Sequence, residues 1–190
     1  MKIDRDLIVK EALQLLDAEG FDALSLRKLA KRLHVQAPAI YWHVRDKDEL
    51  LQLMVQALYE REPENVFPNP ARPWTEWFVD RGVKLRHRLM QCRDSARLVI
   101  ETPVSARAMG EAFPTWRHSL TTYGMSEIEA TRIIAAFQSF VLGWLHFEQH
   151  APIQAFMASV MNLDESYRFG LEALAEGLRG RIEGKAVGPR

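Results

Sequence analysis

Cysteine and long apolar runs are scarce in this sequence. Its single cysteine, Cys92, cannot form an internal disulfide, which excludes a disulfide-stapled secreted scaffold and favours a reducing compartment. Nowhere do 18 apolar residues follow one another, and the N-terminal stretch carries acidic side chains where a signal peptide would be apolar. We therefore expect a cytoplasmic protein that does not span a membrane and has no membrane partner.

A net charge is also absent, because 25 acidic residues balance 25 basic ones, yet the basic residues are unevenly spread. Between Arg27 and Lys47 there are six lysines and arginines and one acidic residue, Asp46. Such a cluster is either a solvated face or a surface that docks on nucleic acid, and charge alone does not separate the two. The fold around the cluster must decide.

Strand signals are missing too, since no segment alternates polar and apolar residues and no Asn-Gly hairpin occurs. Apolar residues recur at helical spacing, which predicts an all-α protein. Gly20 is the expected end of the first helix, Ser126 and Glu129 have capping-box spacing, and Asp164 is the expected N-cap of the last helix. The predicted helices cover about 5–20, 25–33, 37–43, 46–62, 74–91, 94–101, 105–122, 126–149, 153–161 and 164–181.

The layout of the first 48 residues is that of a helix-turn-helix. A short helix follows the N-cap residue Ser25, a tight break falls at His34-Val35, and an exposed third helix comes next. The proline-rich stretch from Glu64 to Pro73 is the clearest interior linker. We therefore expect a helix-turn-helix DNA-binding domain over 1–48, a connecting helix over 49–66, and a helical domain for ligand binding and dimerisation over 67–190.

The segment SLRKLAKRLHVQAPAIYWHVRDKDELL resembles the N-terminal domain of the tetracycline-repressor (TetR) family, including its consecutive Tyr41-Trp42-His43-Val44. The likeness to the tetracycline-repressor subgroup continues beyond it. The residues that carry it are Trp74, Arg93-Asp94, Thr102-Pro103, the stretch from Phe140 to Gly143, Phe169-Gly170-Leu171-Glu172 and Gly177-Leu178.

The resemblance implies that the 37–43 helix enters the major groove of DNA while the 25–33 helix crosses the phosphate backbone. Basic, hydroxyl and imidazole groups then contact phosphates, and small or amide side chains touch base edges. For Trp42 we favour core packing between Ile40 and Val44 over a DNA contact. The expected phosphate contacts are Arg27, Lys28, Tyr41, His43 and Lys47, and the expected base contacts are Gln36, Ala37, Pro38 and Ala39, with Arg27 and Gln36 setting much of the specificity.

Aromatic stripes run along two helices of the second domain, at 74–91 and 126–149. Any such stripe can be plain core, but the resemblance implies that one face lines an effector pocket and another meets a partner subunit. A small-residue stripe of Gly170, Ala173 and Gly177 on the last helix would let that partner approach closely. The candidate ligand-binding residues are Trp77, Phe78, Arg81, Leu85, Val99, Thr102, Trp116, Phe137, Phe140, Trp144 and Phe147.

The sequence departs from the subgroup where tetracycline is held as a magnesium chelate. Val99 and Pro63 stand where the family pattern has histidines, Arg81 replaces an asparagine, and Leu85 replaces a phenylalanine. A magnesium site without these ligands is improbable, so we expect no metal, no cofactor and a ligand other than tetracycline. Arg81 either extends its guanidinium to water or meets an acidic or carbonyl group of the ligand.

The leading interpretation is a homodimeric transcriptional repressor that binds an inverted-repeat operator in double-stranded DNA. A small apolar or aromatic effector would release it. An effector-independent dimeric DNA-binding protein is the alternative. An all-helical enzyme is a further one, but the sequence has no inward carboxylate cluster, Glu-x-x-His pair or nucleophile with its base, so we expect no catalytic residues.

Overall fold

The computed structural model describes residues 3–60, 71–103 and 112–184, with the side chains of Glu60 and of 112–116 left out. Every regular element in these ranges is a helix, which confirms the all-α prediction. A 3-10 turn, Phe21–Ala23, separates the first two helices. The helices are α1 (Arg5–Glu19), α2 (Leu26–Arg32), α3 (Ala37–Tyr41), α4 (Lys47–Glu60), α5 (Trp74–Leu89), α6 (Ser95–Glu101), α7 (Ala112–Thr121), α8 (Glu127–Gln149), α9 (Ala151–Val160) and α10 (Leu163–Glu183).

Local capping groups set several of these helix ends. The Ser25 hydroxyl accepts a hydrogen bond from the backbone N–H of Lys28 at 3.2 Å. Ser126 and Glu129 form the predicted reciprocal capping box at the start of α8. Gly20 ends α1 with φ +84°, a left-handed conformation that a residue with a Cβ rarely adopts. These signals lie within a few residues of the ends they fix, which is why the sequence predicts them.

The predicted N-cap of the last helix is wrong by two residues. The side-chain oxygen of Asn162 accepts hydrogen bonds from the backbone N–H groups of Asp164 and Glu165, at 3.0 and 3.2 Å. Asp164 therefore lies in the first turn of α10, where its carboxylate is free to accept a hydrogen bond from Arg86 at 2.7 Å. Asparagine and aspartate cap helices about equally well, so composition alone could not choose between them.

The described chain divides into two compact units. The first joins residues 3–60 to 88–103, so that α6 packs with the N-terminal helices. Two contacts hold it there: the backbone N–H of Phe21 donates to Asp94 Oδ2 at 2.9 Å, and that of Arg93 donates to Asp17 Oδ1 at 3.1 Å. The predicted boundaries near 48 and 66 remain predictions, since this grouping follows packing and not chain order.

The second unit joins residues 71–87 to 112–184 and has an aromatic core. Phe78, Leu85, Phe137, Tyr167 and Leu171, from α5, α8 and α10, are each at most 1% exposed. By length and composition α8 is apolar enough to cross a membrane, a property that the central helix of a helical core shares. In this structure α8 is a core helix, because one of its faces is buried in the second unit.

Candidate functional site

A tight turn joins α2 to α3 in the first unit. His34 adopts φ +55°, and the backbone N–H of Val35 donates to the Ala30 carbonyl at 3.0 Å, which reverses the chain within four residues. Leu29 and Ile40 are both fully buried, which fixes α2 and α3 in the core of this unit. The helix α3 ends at Tyr41, two residues short of the predicted 37–43 helix. This arrangement presents α3 on the surface of the unit, as a helix-turn-helix requires.

The nine predicted DNA-contact residues are all at least partly accessible. Arg27, Lys28, Gln36, Pro38, Tyr41 and Lys47 are exposed, and Ala37, Ala39 and His43 are half-exposed.

Their side chains differ in what they already contact. Lys28 forms an ion pair with Glu19, and the Lys47 ammonium lies 5.4 Å from the centroid of the Phe21 ring. The side chains of Arg27 and Gln36 have no hydrogen-bond or ion-pair partner in the described part of the chain. The two side chains expected to set specificity are thus unoccupied at the surface.

Trp42 is not the core residue that we favoured. Its side chain is 87% exposed, while its neighbours Ile40 and Val44 are 0% and 1% exposed. The reason is that α3 ends at Tyr41, so Trp42 lies in the turn beyond the helix and points away from the packed face. An exposed indole next to Tyr41, itself 54% exposed, gives this surface an aromatic pair beside its basic residues.

The chain that follows α3 is anchored by Arg5, which the sequence did not single out, and by Glu49. The Arg5 guanidinium donates to the His43 carbonyl at 3.1 and 3.3 Å, and the Glu49 carboxylate accepts from the Arg45 backbone N–H at 2.7 Å. Hydrogen bonds from the backbone and side chain of Arg45, with the charges of Arg45 and Arg5, lower the pKa of Glu49 despite its partial burial. Arg5 and Glu49 therefore position His43 and the start of α4.

Two groups of contacting aromatic rings occupy the second unit. Trp77 stacks on Phe137 with ring centroids 6.1 Å apart, and Phe78 meets Phe137 edge-on at 5.0 Å. Phe140 and Trp144 each lie 5.5 Å from the Tyr167 ring. The Trp144 indole N–H is buried and has no hydrogen-bond acceptor among the described residues. A buried donor without an acceptor is costly, so it marks a place where a ligand with an acceptor atom would gain affinity.

The structure separates the predicted ligand-binding residues. Trp77, Phe140 and Trp144 are half-buried, whereas Phe147 is 49% exposed. Arg81 is 2% exposed, so its guanidinium does not extend to water and that alternative is wrong. Phe78, Leu85 and Phe137 belong to the buried core described above.

Two candidates, Val99 and Thr102, lie in the first unit, apart from the rest. Val99 has no atom that could bind a magnesium ion, and the Thr102 hydroxyl donates a hydrogen bond to the Leu98 carbonyl. In the described ranges, no three His, Cys, Asp or Glu side chains are grouped so as to hold a metal ion. Pro63 and the Trp116 side chain lie outside the described residues.

An ion-pair network that the sequence did not reveal ties α5 to α8 and α10. The Arg86 guanidinium donates to both carboxylate oxygens of Glu148 and to Asp164, and it lies 5.0 Å from the Tyr167 ring centroid. The Tyr167 hydroxyl donates to the Gly82 carbonyl at 2.9 Å, and burial raises the pKa of this hydroxyl. Arg86 and Glu148 are 62 residues apart in the sequence, so no local pattern could have paired them.

A surface-exposed helix-turn-helix beside basic and aromatic residues, in a chain whose second unit is a helical aromatic core, defines the class of helix-turn-helix transcription regulators with a helical regulatory domain. A family model described as "Bacterial regulatory proteins, tetR family" matches residues 8–54. The chain is 32% identical to the class C tetracycline repressor protein of Escherichia coli over 154 residues, which is 81% of this chain and 70% of that protein. The chain belongs to the TetR family.

Solved structures agree over nearly the whole length. A TetR variant from Acinetobacter baumannii in complex with minocycline is 29% identical, with a TM-score of 0.80 over 94% of this chain and 97% of that one. The protein ActR of Streptomyces coelicolor in complex with actinorhodin is 26% identical, with a TM-score of 0.79 over 95% and 97%. The protein is therefore a transcription regulator of the repressor type and not an enzyme, as the sequence predicts.

Proposed function

We propose that this protein is a cytoplasmic homodimeric repressor that binds an inverted-repeat operator and leaves it when a small aromatic effector binds the second unit. The observation that carries the DNA part is the unoccupied pair Arg27 and Gln36 beside the helix-turn-helix. Arg27 precedes the turn and Gln36 is the N-cap of α3, so both lie where a helix N-terminus faces the major groove. Their donor groups can reach base edges because nothing in the described chain competes for them.

Phosphate contacts would come from Lys28, Lys47, His43 and the Tyr41 hydroxyl. These groups lie at the exposed ends of α2 and α3 and at the start of α4, which is where the DNA backbone passes in this mode of docking. The exposed Trp42 joins this set, since its indole can lie against a deoxyribose. Such contacts position the protein without reading sequence.

The dimer is supported by two accessible helix faces in the second unit. On α8 the accessible residues Ala135, Ser139 and Gly143 follow one another at four-residue spacing, and on α10 Phe169, Ala173 and Gly177 do the same. A Cβ added at Gly143 or Gly177 would meet nothing within 4 Å. The small residues of these faces, Ala135, Ser139 and Gly143 on α8 and Ala173 and Gly177 on α10, let a helix of a second copy approach closely, and the exposed Phe169 offers it an apolar contact.

Gly170, which the sequence predicts in the dimer stripe, also faces an aromatic ring of its own chain. A Cβ at this position would come within 2.5 Å of the Phe140 ring of the same chain. The absence of a side chain at Gly170 leaves room for the Phe140 ring. We therefore expect Gly177→Leu to dissociate the dimer while the monomer stays folded, and Gly170→Leu to destabilise the monomer itself, as light scattering and thermal unfolding will distinguish.

A two-fold dimer implies an operator with two-fold symmetry. The half-site centres should lie about 34–36 Å apart, or a small multiple of that, since each reading helix enters a major groove on the same side of the duplex. Because each protomer makes the same contacts, every contact contributes twice to the binding free energy of the complex.

The effector is proposed from the half-buried aromatic residues and from the Trp144 N–H. An aromatic molecule with a carbonyl or hydroxyl acceptor would stack against Trp77, Phe140 or Trp144 and supply the acceptor that this N–H lacks. Arg81, 2% exposed, lies in the same unit and can meet a carbonyl or acid of that ligand. No metal is needed in this scheme.

The test is operator binding with and without effector. Lys47→Ala should weaken binding to all sequences alike and reduce the slope of log K against log salt by about one per protomer, because one phosphate contact is lost in each. Arg27→Ala should instead change which base pairs are preferred. Lys84→Ala is the matched control, since Lys84 is an exposed lysine of the second unit. If Lys47→Ala changed sequence preference with the salt slope intact, these roles would be wrong.

Linkage tests the effector part. An effector that releases the protein from DNA must bind less tightly when operator is present, by the same factor by which it weakens operator binding. Titrating the tryptophan fluorescence with a panel of aromatic compounds, with and without operator, measures both affinities. Equal effector affinities in the two titrations would favour the effector-independent DNA-binding protein instead.

A further inference from the structure

Arg97 of α6 donates hydrogen bonds to Asp22, in the 3-10 turn that leads into the helix-turn-helix. Arg97 is not one of the predicted DNA-contact residues. We infer that Arg97 keeps the Asp22 carboxylate occupied, so that Lys47 stays available for a DNA phosphate. Arg97 is thus a positioning residue that acts through Asp22 and Lys47. This inference rests on the proposed function, in which Lys47 contacts DNA.

The Arg97 guanidinium is held by two carboxylates and one ring. Its two terminal nitrogens donate to the two oxygens of Asp22 at 2.8 and 2.7 Å, and its Nε donates to Glu101 within α6. Its central carbon lies 4.8 Å from the centroid of the Phe21 ring. Planar donor pairs of this kind match a carboxylate geometrically, so Asp22 has both oxygens engaged.

Lys47 shares this ring. Its ammonium lies 5.4 Å from the Phe21 centroid and forms no ion pair with any carboxylate in the described part of the chain. The pKa of Asp22 is lowered chiefly by the hydrogen bonds from Arg97; desolvation opposes this shift, and the charges of Arg97 and Lys47 add to it to a lesser degree. Lys47 and Asp22 are therefore close enough to act on each other.

Removing Arg97 changes what the Asp22 carboxylate can bind. The carboxylate loses both hydrogen-bond donors and remains beside Lys47, which is the cation left near it. An Asp22–Lys47 pair would then compete with the phosphate for the same ammonium group. Exposed pairs of this type change an equilibrium by about two- to five-fold, so the loss in operator affinity should be about ten-fold for a dimer with two such sites.

Net charge alone could mimic this result, and Glu101 provides the control. Both Asp22 and Glu101 accept hydrogen bonds from Arg97, and the charge of Lys47 acts on Asp22. Asp22→Asn and Glu101→Gln restore the same unit of charge to the Arg97→Ala variant. Only Asp22→Asn removes the competitor of Lys47.

The experiment measures operator affinity of full-length variants at two salt concentrations, with thermal unfolding as a check of the fold. We expect Arg97→Ala to weaken binding about ten-fold, Asp22→Asn to restore it to within about two-fold in the Arg97→Ala background, and Glu101→Gln to restore little. Asp22→Asn in the wild-type background should change the affinity by less than about two-fold. In a Lys47→Ala background, Arg97→Ala should have no further effect.

Equal rescue by Glu101→Gln would overturn the inference in favour of a net-charge effect, and rescue by neither would show that Arg97 acts through the fold. An unchanged affinity in Arg97→Ala would overturn it as well. The proposed function fails separately: if wild-type protein binds DNA but Lys47→Ala binds equally well, the assignment of Lys47 is wrong, whatever Arg97 does.

Discussion

Replacing Glu148 with alanine removes the buried half of the ion pair that joins α8 to α5. The side chains of Glu148 and Arg86 are 4% and 13% exposed, and the Arg86 Nε donates to Glu148 Oε2 at 2.7 Å. In the variant Asp164 is the one carboxylate that the guanidinium keeps among the described residues, and its side chain is 83% exposed. The Arg86 guanidinium thus loses its buried counter-charge, and the carboxylate that remains, Asp164, is screened by solvent.

The expected cost follows from that burial. Breaking a buried pair by removing one partner costs about 3–5 kcal/mol, and the partial exposure of Arg86 places this case at the lower end, about 3 kcal/mol. For a chain of this size each kcal/mol lowers the midpoint by about 2–4 °C, so thermal unfolding should shift by about 6–12 °C.

Asp164→Asn is the matched control, because it removes the exposed carboxylate from the same guanidinium. It should cost about 0.5 kcal/mol or less, as surface pairs do. Urea unfolding of both variants at one protomer concentration, which matters for a dimer, measures the difference. A Glu148→Ala cost below about 1 kcal/mol, or one equal to that of Asp164→Asn, would refute the argument that burial sets the strength of this network.

Three further predictions concern stability. Gly82→Ala should cost about 1–3 kcal/mol in urea unfolding, because its Cβ would lie 2.6 Å from Leu171 Cδ1 in the core, and a wild-type midpoint would contradict this. Asp94→Ala should cost about 1 kcal/mol by leaving the Phe21 N–H without its acceptor, and Asp94→Asn, which keeps an acceptor oxygen, should recover most of it. Burial raises the pKa of Tyr167, so the folded protein keeps the hydroxyl proton above about pH 10, where the unfolded chain loses it. The free energy of unfolding should therefore fall as the pH rises above about 10. A Tyr167→Phe variant should lack the part of this pH dependence that comes from Tyr167.

The sequence by itself determined the elements and the class of this protein. Helix ends at Gly20, Ser25 and Ser126 depend on groups within a few residues, so the pattern predicts them directly. The choice between Asn162 and Asp164 failed because both residue types cap equally well and only the path of the chain selects one. The helix-turn-helix spacing and the TetR resemblance were likewise local, and the family assignment confirms them.

Only the tertiary structure decided which side chains face solvent and which distant charges meet. The exposed Trp42 and the buried Arg81 reverse what their residue types suggest, because the end of α3 and the packing of α5 set their directions. Gly170 leaves room for Phe140 of its own chain. From the sequence alone, a stripe of small residues that packs against the same chain looks the same as one that forms a dimer interface. Arg97 meets Asp22 across 75 residues, and α6 joins the N-terminal helices for the same reason. Such contacts depend on where the chain returns in space, and residue spacing carries no information about that.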